Sequence, residues 1–297
     1  MLPVNDEEYE ETPTARVARR WAGYTTSIIG FNQLVRESLD LVGPTLQVKD
    51  LLGAVTKTVT DEQRRRWYST TVRAKHLIDA DYGALNRHIL TAGWGAIESF
   101  IEDFCHAVLL MDRTLLQSDL FKNVKLGPAA LLLDEDEQVD AILGDAYNRD
   151  SADLKVGVGK FETQLKYVGR CDEVRSRTTS VLRERIFYAQ QFRNLIVHRG
   201  GIADKRFVER CTALPISIGD TVSISTDQLG KLLSGLVVYG LLIVNLDRDR
   251  HGLSPFPWPL ITDDIELEAP YKESWGHLHA KTGWFTEPLP LFTQIEL

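Results

Sequence analysis

The stretch LNRHILTAGWGAIESFIEDFCHAVLL, residues 85–110, decides the class of fold. Its apolar side chains recur mostly at steps of three and four residues, which places them on one face of an α-helix. We therefore expect a long helix from Asp81 to about Leu110 that packs against a core, with Gly93 and Gly95 allowing another helix to approach closely. The apolar stripe consists of Leu85, Ile89, Ile97, Phe100, Ile101, Phe104 and Val108.

Helical patterns also occupy the N-terminal part of the chain. Residues 14–42 mix apolar and polar side chains at roughly helical spacing, and Gly43-Pro44 is a pair that normally ends a helix. We therefore expect a first helix that stops there. Residues 45–60 favour a strand through their β-branched side chains but would also suit a short helix, so both readings stay open.

The second half of the chain predicts elements of several kinds. Residues 112–170 contain glycines and an acidic run, which are typical of short helices and loops. Residues 181–197 have helical periodicity and end at a Gly-Gly pair. Residues 214–225 alternate apolar with polar side chains, which predicts a small β-hairpin. A capping-box pattern, Ser225 followed by Gln228, then predicts the start of an apolar helix.

Together these patterns predict a mainly α protein in three parts. The expected parts are an N-terminal helical accessory region (residues 1–80), a helical bundle that carries the small β-hairpin (81–250) and a C-terminal extension (251–297). The apolar stretch from Leu232 to Leu246 has 15 residues. At about 1.5 Å per residue it is short for crossing a bilayer, so we expect a buried helix and no membrane partner.

Composition fits a soluble globular protein, because 43% of the 297 residues are hydrophobic and 26% are charged. The formal net charge of -8 argues against coating nucleic acid by bulk charge, but it leaves room for a local basic site. Cys105, Cys171 and Cys211 are scattered and odd in number, so they predict neither a disulfide framework nor a metal knuckle. The N-terminus is acidic, unlike a secretory signal. We therefore expect a cytoplasmic protein.

The chemically informative segment is QQFRNLIVHRGG, residues 190–201. On a helix, Asn194 and His198 lie one turn apart on the same face, and the long side chain of Arg193 reaches the same edge. Arginine can grip a phosphodiester with two hydrogen bonds, histidine exchanges a proton near neutral pH, and asparagine can orient the imidazole or the ligand. These groups suit RNA transesterification. A histidine in the last helical turn is also commonly a structural residue that stabilises the helix dipole.

The same residues resemble the signature of a known family. Arg193, four intervening residues and His198, with Gly-Gly beyond, resemble the Arg-x4-to-6-His motif of the HEPN superfamily. The resemblance extends to the earlier helix around residues 94–104 and to the later hairpin and helix, and so covers roughly residues 80–250. It looks closest to the RNase LS and prophage-stress-protection type of HEPN domain.

The resemblance implies an all-helical bundle that pairs as a homodimer and uses neither a metal nor another cofactor. In such a pair, arginines and histidines meet across the helix that carries Arg193 and His198 and form a composite endoribonuclease site. The catalytic residues would be Arg193, Asn194 and His198. Glu98 on the earlier helix would point toward them, although a glutamate that is solvated or paired for structural reasons is the alternative.

The family also suggests a cellular role. We expect an endoribonuclease that acts as a toxin or antiviral defence effector and is restrained by an antitoxin or regulatory partner. The alternative is a catalytically silent HEPN module that binds RNA or a protein partner. A metal-dependent hydrolase that uses His277-Leu-His279 is a more distant third hypothesis.

Basic residues surround the motif. Between Arg183 and Arg210 the sequence contains seven basic and three acidic residues, so a local patch can attract RNA in an otherwise acidic chain. A second basic and aromatic patch, Arg64-Arg-Arg66 with Trp67-Tyr68, suits base stacking or is a solvated helix terminus. The predicted RNA-binding residues are Arg199, Lys205, Arg206 and Arg210.

Two short patterns predict no site. Cys105 and His106 are neighbours and therefore diverge on a helix, which argues against a nucleophilic pair. Gly157-Val-Gly159-Lys160 lacks the spacing and the hydroxyl residue of a nucleotide-binding loop.

Overall fold

The structure, a computed structural model, describes residues 5–56, 58–125 and 127–256, and this part of the chain is mainly helical. Within these residues, three short 3-10 helices lie at Arg113–Gln117, Pro128–Leu132 and Ala152–Leu154. The α-helices of the described residues are α1 (Asp6–Glu10), α2 (Pro13–Thr56), α3 (Asp61–Asp79), α4 (Gly83–Met111), α5 (Glu135–Arg149), α6 (Val158–Lys166), α7 (Cys171–Arg177), α8 (Ser180–Arg199), α9 (Lys205–Arg210) and α10 (Thr226–Arg250).

Helix α10 forms the centre of the bundle. Every residue from Leu232 to Arg248 is buried, and α4, α8, α2 and α7 pack around this segment. By length and composition α10 could also cross a membrane, and 89% of its most apolar window is buried inside the protein. The predicted capping box forms, since the hydroxyl of Ser225 accepts from the backbone N–H of Gln228 at 3.1 Å. The sequence was right about both the start and the burial of this helix.

Helix α4 confirms the long helix predicted from the apolar stripe. Its bounds, Gly83–Met111, differ from the predicted ones by one or two residues. A Cβ placed on Gly93 would lie 2.6 Å from Leu233 Cδ2, so this glycine permits the close contact with α10. Gly95 has no such neighbour within 4 Å, and that half of the prediction is wrong.

Helix α2 is longer than predicted, because it continues through Gly43-Pro44 to Thr56. Proline removes one backbone hydrogen bond from a helix but does not forbid it where packing holds both sides. Here α3 folds back along α2, as contacts between Arg64 and Asp50 (2.9 Å) and between Tyr82 and Asp40 (2.6 Å) show. The predicted stop is therefore wrong, and the open question over residues 45–60 resolves as helix up to Thr56.

The predicted hairpin at residues 214–225 is not formed, and the described residues contain no extended strand. This segment instead pairs with the loop that follows α8. An isolated bridge joins Thr221 to Ile202, and the backbone N–H of Val222 donates to the carbonyl of Gly201 at 2.8 Å. Residues 214–225 do alternate apolar with polar side chains, but their backbone pairs with the loop after α8 and not with itself. The segment thereby holds the end of α8 in place.

Candidate functional site

Helix α8 carries the Arg-x4-His motif and ends as predicted. Gly200 adopts a left-handed conformation (φ 62°), and its N–H donates to the carbonyl of Ile196 at 3.1 Å. Such a turn is easiest for glycine and stops the helix directly after Arg199. His198 therefore lies in the last turn, beside the loop held by residues 201–222.

A cleft of about 550 Å³ opens next to this motif. All four predicted catalytic residues line it, and so do three of the four predicted RNA-binding residues. Lys205 does not line the cleft and is 78% exposed at the side chain. The residues that the structure brings together here are Glu98 from α4, Arg193, Asn194, His198 and Arg199 from α8, and Arg206 and Arg210 from α9.

Arg193 is held between two partners. Its Nη1 donates a hydrogen bond to Oδ1 of Asn194 at 3.1 Å, and its Nη2 lies 3.7 Å from Oε2 of Glu98. The Arg193 side chain is 28% exposed, so its guanidinium remains accessible from the cleft. Asn194 and Glu98 thus orient the cation that was predicted to meet a phosphate.

Glu98 also pairs with a lysine that the sequence analysis did not assign to the site. Lys160 of α6 places its Nζ 2.9 Å from Oε1 of Glu98 and 2.8 Å from Oδ1 of Asp153. Burial lowers the pKa of Lys160, but the hydrogen bonds and charges of Asp153 and Glu98 outweigh burial, and the net pKa is raised. Lys160 therefore stays positively charged at neutral pH. Glu98 is both a residue of the cleft and a structurally paired glutamate.

No sequence motif pointed to Lys160. The segment around it, Gly157-Val-Gly159-Lys160, lacks the spacing of a phosphate loop. Lys160 reaches the site because α6 packs against α4, 62 residues away from Glu98 along the chain. Spacing along the sequence cannot reveal this pairing. The burial of Lys160, which is only 8% exposed, becomes apparent only once the fold is known.

His198 is the most accessible of the predicted catalytic groups. It is exposed, and within the described part of the chain no side chain or backbone group hydrogen-bonds to its ring. Its two ring nitrogens are therefore available to a ligand or to a second protein chain. The orientation of the ring is not fixed by its own chain.

The outer part of the cleft is basic. Among the described residues, five lysine and arginine side chains and three carboxylates line the cleft, in addition to His198. Arg199 pairs with Asp204 at 3.1 Å, and Nη1 of Arg210 lies 3.5 Å from Oε1 of Gln191. A hydrogen bond from the backbone N–H of Phe207, and secondarily Arg199, lowers the pKa of Asp204. The excess of positive charge suits a polyanion.

The second basic patch is largely neutralised. Arg64 pairs with Asp50 at 2.9 Å, and Arg66 pairs with Glu62 at 2.6 Å along the same helix. Both pairs are well exposed, as in a solvated helix terminus. The structure therefore favours a solvated helix terminus over a base-stacking site at residues 64–68.

The other candidates do not form sites in the described residues. Burial raises the pKa of the Cys105 thiol to about 12, so it does not supply a thiolate near neutral pH. His106 Nε2 lies 3.7 Å from Oδ1 of Asp136 and 3.5 Å from Oδ1 of Asp140, both on α5. Within residues 5–56, 58–125 and 127–256, no group of three or more His, Cys, Asp or Glu side chains has the geometry of a metal site. His277 and His279 lie outside the described residues, as does most of the predicted C-terminal extension.

Fold and cleft together define a mainly α protein with a cation-rich polar cleft at the end of one helix. Comparisons with protein-family models, with curated proteins and with solved structures returned no match.

Proposed function

We propose that this protein is a metal-independent endoribonuclease of the HEPN type. One observation carries the proposal: a single cleft contains Arg193, Asn194 and His198 of α8 together with Glu98 of α4. Arg193, Asn194 and His198 lie close together because they share one end of α8, whereas Glu98 comes from a different helix. Their meeting in one accessible cleft supports a shared chemical role rather than four unrelated structural roles.

In the proposed reaction, His198 removes the proton from a ribose 2′-hydroxyl, and the resulting oxygen attacks the adjacent phosphorus. Arg193 stabilises the negative charge that develops on the phosphorane oxygens. Lys160, held charged by Glu98 and Asp153, adds positive potential without transferring a proton. The 5′-oxygen leaves with a proton, and the product end carries a 2′,3′-cyclic phosphate. DNA lacks the 2′-hydroxyl and is not cut by this route.

The proposal includes a second copy of the chain. In-line transesterification uses both a proton acceptor and a proton donor, whereas the described residues of one copy place one exposed histidine at the cleft. A homodimer formed across the helix that carries Arg193 and His198 would supply the second group and would orient both rings. Val197, which is 49% exposed beside His198, provides an apolar contact for such pairing.

We further propose that the protein acts in the cytoplasm as a toxin or antiviral defence effector. An antitoxin or regulatory partner would then restrain it. This role follows from the family resemblance, and expression in a bacterial host tests it. The intact protein should arrest growth, and Arg193→Ala should relieve the arrest.

The decisive experiment measures cleavage of a labelled RNA in the presence of EDTA. The purified protein should cut the RNA, and His198→Ala should abolish cutting while its circular dichroism spectrum stays unchanged. His76→Ala is a matched control, because His76 is also exposed near the end of a helix but lies on α3, and it should remain active. Full activity of His198→Ala would remove this residue from catalysis and overturn the proposal.

A catalytically silent HEPN module that binds RNA or a protein is the second candidate. The observation that favours it is the ion pairing of Arg193, since Glu98 and Asn194 already occupy its guanidinium. In that case the wild type and both alanine variants would bind RNA but release no cyclic phosphate. Equal growth of cells expressing all three proteins would also select this candidate.

A further inference from the structure

Helix α2 carries an apolar stripe that no other part of the described chain covers. Along the helix, ten positions follow each other at alternating steps of three and four residues, and all ten are exposed. Seven of them are apolar and each is at least 54% exposed. The ten positions, hereafter the α2 stripe, are Tyr24, Ser27, Phe31, Leu34, Ser38, Leu41, Thr45, Val48, Leu52 and Val55.

The opposite face of α2 is already used. Asn32 and Gly53 are buried, and the residues between them on that face pack partly against α3 and the body of the protein. The α2 stripe points away from this contact. Repeats of three and four residues with apolar side chains are the pattern by which two helices bury a common seam in a coiled coil.

Two of the three polar members of the α2 stripe, both serines, are compatible with burial. The hydroxyl of Ser27 donates to the carbonyl of Gly23 at 2.8 Å, and the hydroxyl of Ser38 donates to the carbonyl of Leu34 at 2.7 Å. Both donors are therefore satisfied within the helix, so a partner can cover them without leaving an unpaired group. Pro44 lies beside the stripe and not within it.

We propose that the α2 stripe is an interface with a second copy of this chain, packed antiparallel to the first. The proposal is independent of the ribonuclease activity and of pairing through α8, because the α2 stripe lies on a different helix from the cleft. A second copy is the partner that the α2 stripe favours, because the side chains in its N-terminal half complement those in its C-terminal half in size.

This complementarity appears when the stripe is paired with itself in reverse. In the antiparallel register centred between Ser38 and Leu41, each layer combines a larger with a smaller side chain, which fills a seam evenly. A parallel pair would instead stack Phe31 on Phe31 and Ser38 on Ser38, which alternates crowding with gaps. The antiparallel layers are Tyr24 with Val55, Ser27 with Leu52, Phe31 with Val48, Leu34 with Thr45, and Ser38 with Leu41.

The apolar area of the α2 stripe is also sufficient for a stable interface between two copies. Seven side chains that are more than half exposed would bury roughly 600–700 Å² per copy, close to the ~800 Å² per partner of a stable interface. An uncovered apolar stripe of that size is unusual for a monomer.

The first test is the molar mass of the full chain, measured by light scattering or sedimentation. Leu34→Lys with Leu41→Lys should halve the mass of the wild type, because charges at two central layers cannot be buried without partners. Both side chains are 62% exposed, so the fold should survive, which circular dichroism can check. Leu132→Lys is the matched control, since Leu132 is 89% exposed outside the α2 stripe and its substitution should leave the mass unchanged.

Pairing through α8 does not change how the measured mass is interpreted. If that pairing also exists, the wild type is a larger assembly and the double variant falls back to the mass of the dimer paired through α8. A monomeric wild type, or a double variant with the mass of the wild type, overturns the proposal. A double variant with the mass of the wild type leaves the ribonuclease proposal untouched, whereas a monomeric wild type also contradicts the pairing through α8. Catalysis itself is tested separately, by the cleavage assay.

The second test is the direction of the two helices. A spin label on Thr26→Cys attaches selectively, because the three native cysteines are buried. In the antiparallel register residue 26 lies opposite residue 53, so the two labels should be about 40 Å apart along the helix axis at 1.5 Å per residue. A separation below about 20 Å would indicate a parallel pair, and the absence of any intermolecular coupling would indicate no pair. Both results overturn the antiparallel interface.

Discussion

The side-chain oxygen of Gln190 accepts a hydrogen bond of 2.6 Å from the backbone N–H of Gly157. The amide nitrogen of the same glutamine donates to the carbonyl of Lys155 at 3.2 Å. Gly157 has a φ of +57°, and a Cβ there would lie 3.2 Å from the backbone of Phe187, so glycine is required. Because α6 starts at the next residue, this contact fixes the position of Lys160 relative to Glu98.

The ion pair of Lys160 should contribute to stability. We expect Lys160→Met to lower the free energy of unfolding by roughly 3 kcal/mol, the lower end of the cost of breaking a buried pair, because Glu98 keeps Arg193 nearby. Urea unfolding at pH 7 measures this value. Lys205→Met is the control, since its 78% exposed side chain should contribute less than about 0.5 kcal/mol. A loss below about 1 kcal/mol for Lys160→Met would contradict the expected burial of the pair.

The same pair predicts a pH dependence. The pKa of Lys160 is raised in the folded state, so its contribution is fully present below the unfolded pKa of about 10.4 and is lost as the pH rises through the folded value. The difference in stability between the wild type and Lys160→Met should be constant from about pH 7 to 9 and should narrow above about pH 10.4. If the difference in stability between the two proteins grew at alkaline pH, the raised pKa of Lys160 in the folded state would be contradicted.

Arg193 and the outer arginines should differ in kinetic role. Neutralising Arg199, Arg206 and Arg210 should weaken RNA binding and reduce its salt dependence by about one unit for each lost phosphate contact. The single-turnover rate at saturating RNA should survive. Arg193→Ala should instead lower that rate by roughly 10²–10³-fold, as for other donors to a developing oxyanion. If Arg193→Ala only weakens binding, Arg193 is another backbone contact.

A shared site should make an inactive copy dominant. We expect wild-type protein, equilibrated with a ninefold excess of His198→Ala, to lose about nine-tenths of its activity, because most wild-type copies then pair with a variant. RNA is kept in excess over total protein, and His76→Ala in the same excess serves as the active control. Sedimentation should report a dimer or a larger assembly. Undiminished activity, or cleavage by a strictly monomeric protein, would show that one copy suffices.

Two glycines of α10 should respond oppositely to alanine. A Cβ on Gly240 would overlap the rigid ring of Trp21, so Gly240→Ala should destabilise the protein by roughly 1–3 kcal/mol. Gly230 lies in the same helix with nothing within 4 Å of its Cβ position. There, alanine should stabilise the protein by up to about 1 kcal/mol. Thermal unfolding of the two variants compares them directly, and equal shifts would contradict the contact with Trp21.

The sequence predicted the fold well where one helix buries a continuous face. Helices α4 and α8 and the capped start of α10 agree with their predicted positions, because periodicity and capping are local properties. Local patterns failed where a distant partner decides the outcome. Packing of α3 carries α2 through Pro44, and the loop after α8 takes the pairing that residues 214–225 were expected to make with each other.

In the candidate site, too, local sequence patterns identified some residues, and others depended on contacts between distant parts of the chain. Arg193, Asn194 and His198 could be found because one helix turn brings them together. Glu98 needed the family resemblance, and Lys160 needed the fold, since no spacing relates α6 to α4. The periodicity of the sequence could have predicted the α2 stripe but not its exposure. An apolar helix face has the same sequence pattern whether its partner lies in the same chain or in another.

The central position of α10 has a consequence for synthesis on the ribosome. This helix is the last described one along the chain, yet it supplies the surface on which α2, α4 and α8 pack. Until Thr226–Arg250 has emerged, the surfaces of those earlier helices that contact α10 have no partner and remain open to chaperones or to aggregation. Final folding must therefore follow the translation of at least five-sixths of the described chain, whatever the order in which the earlier helices form.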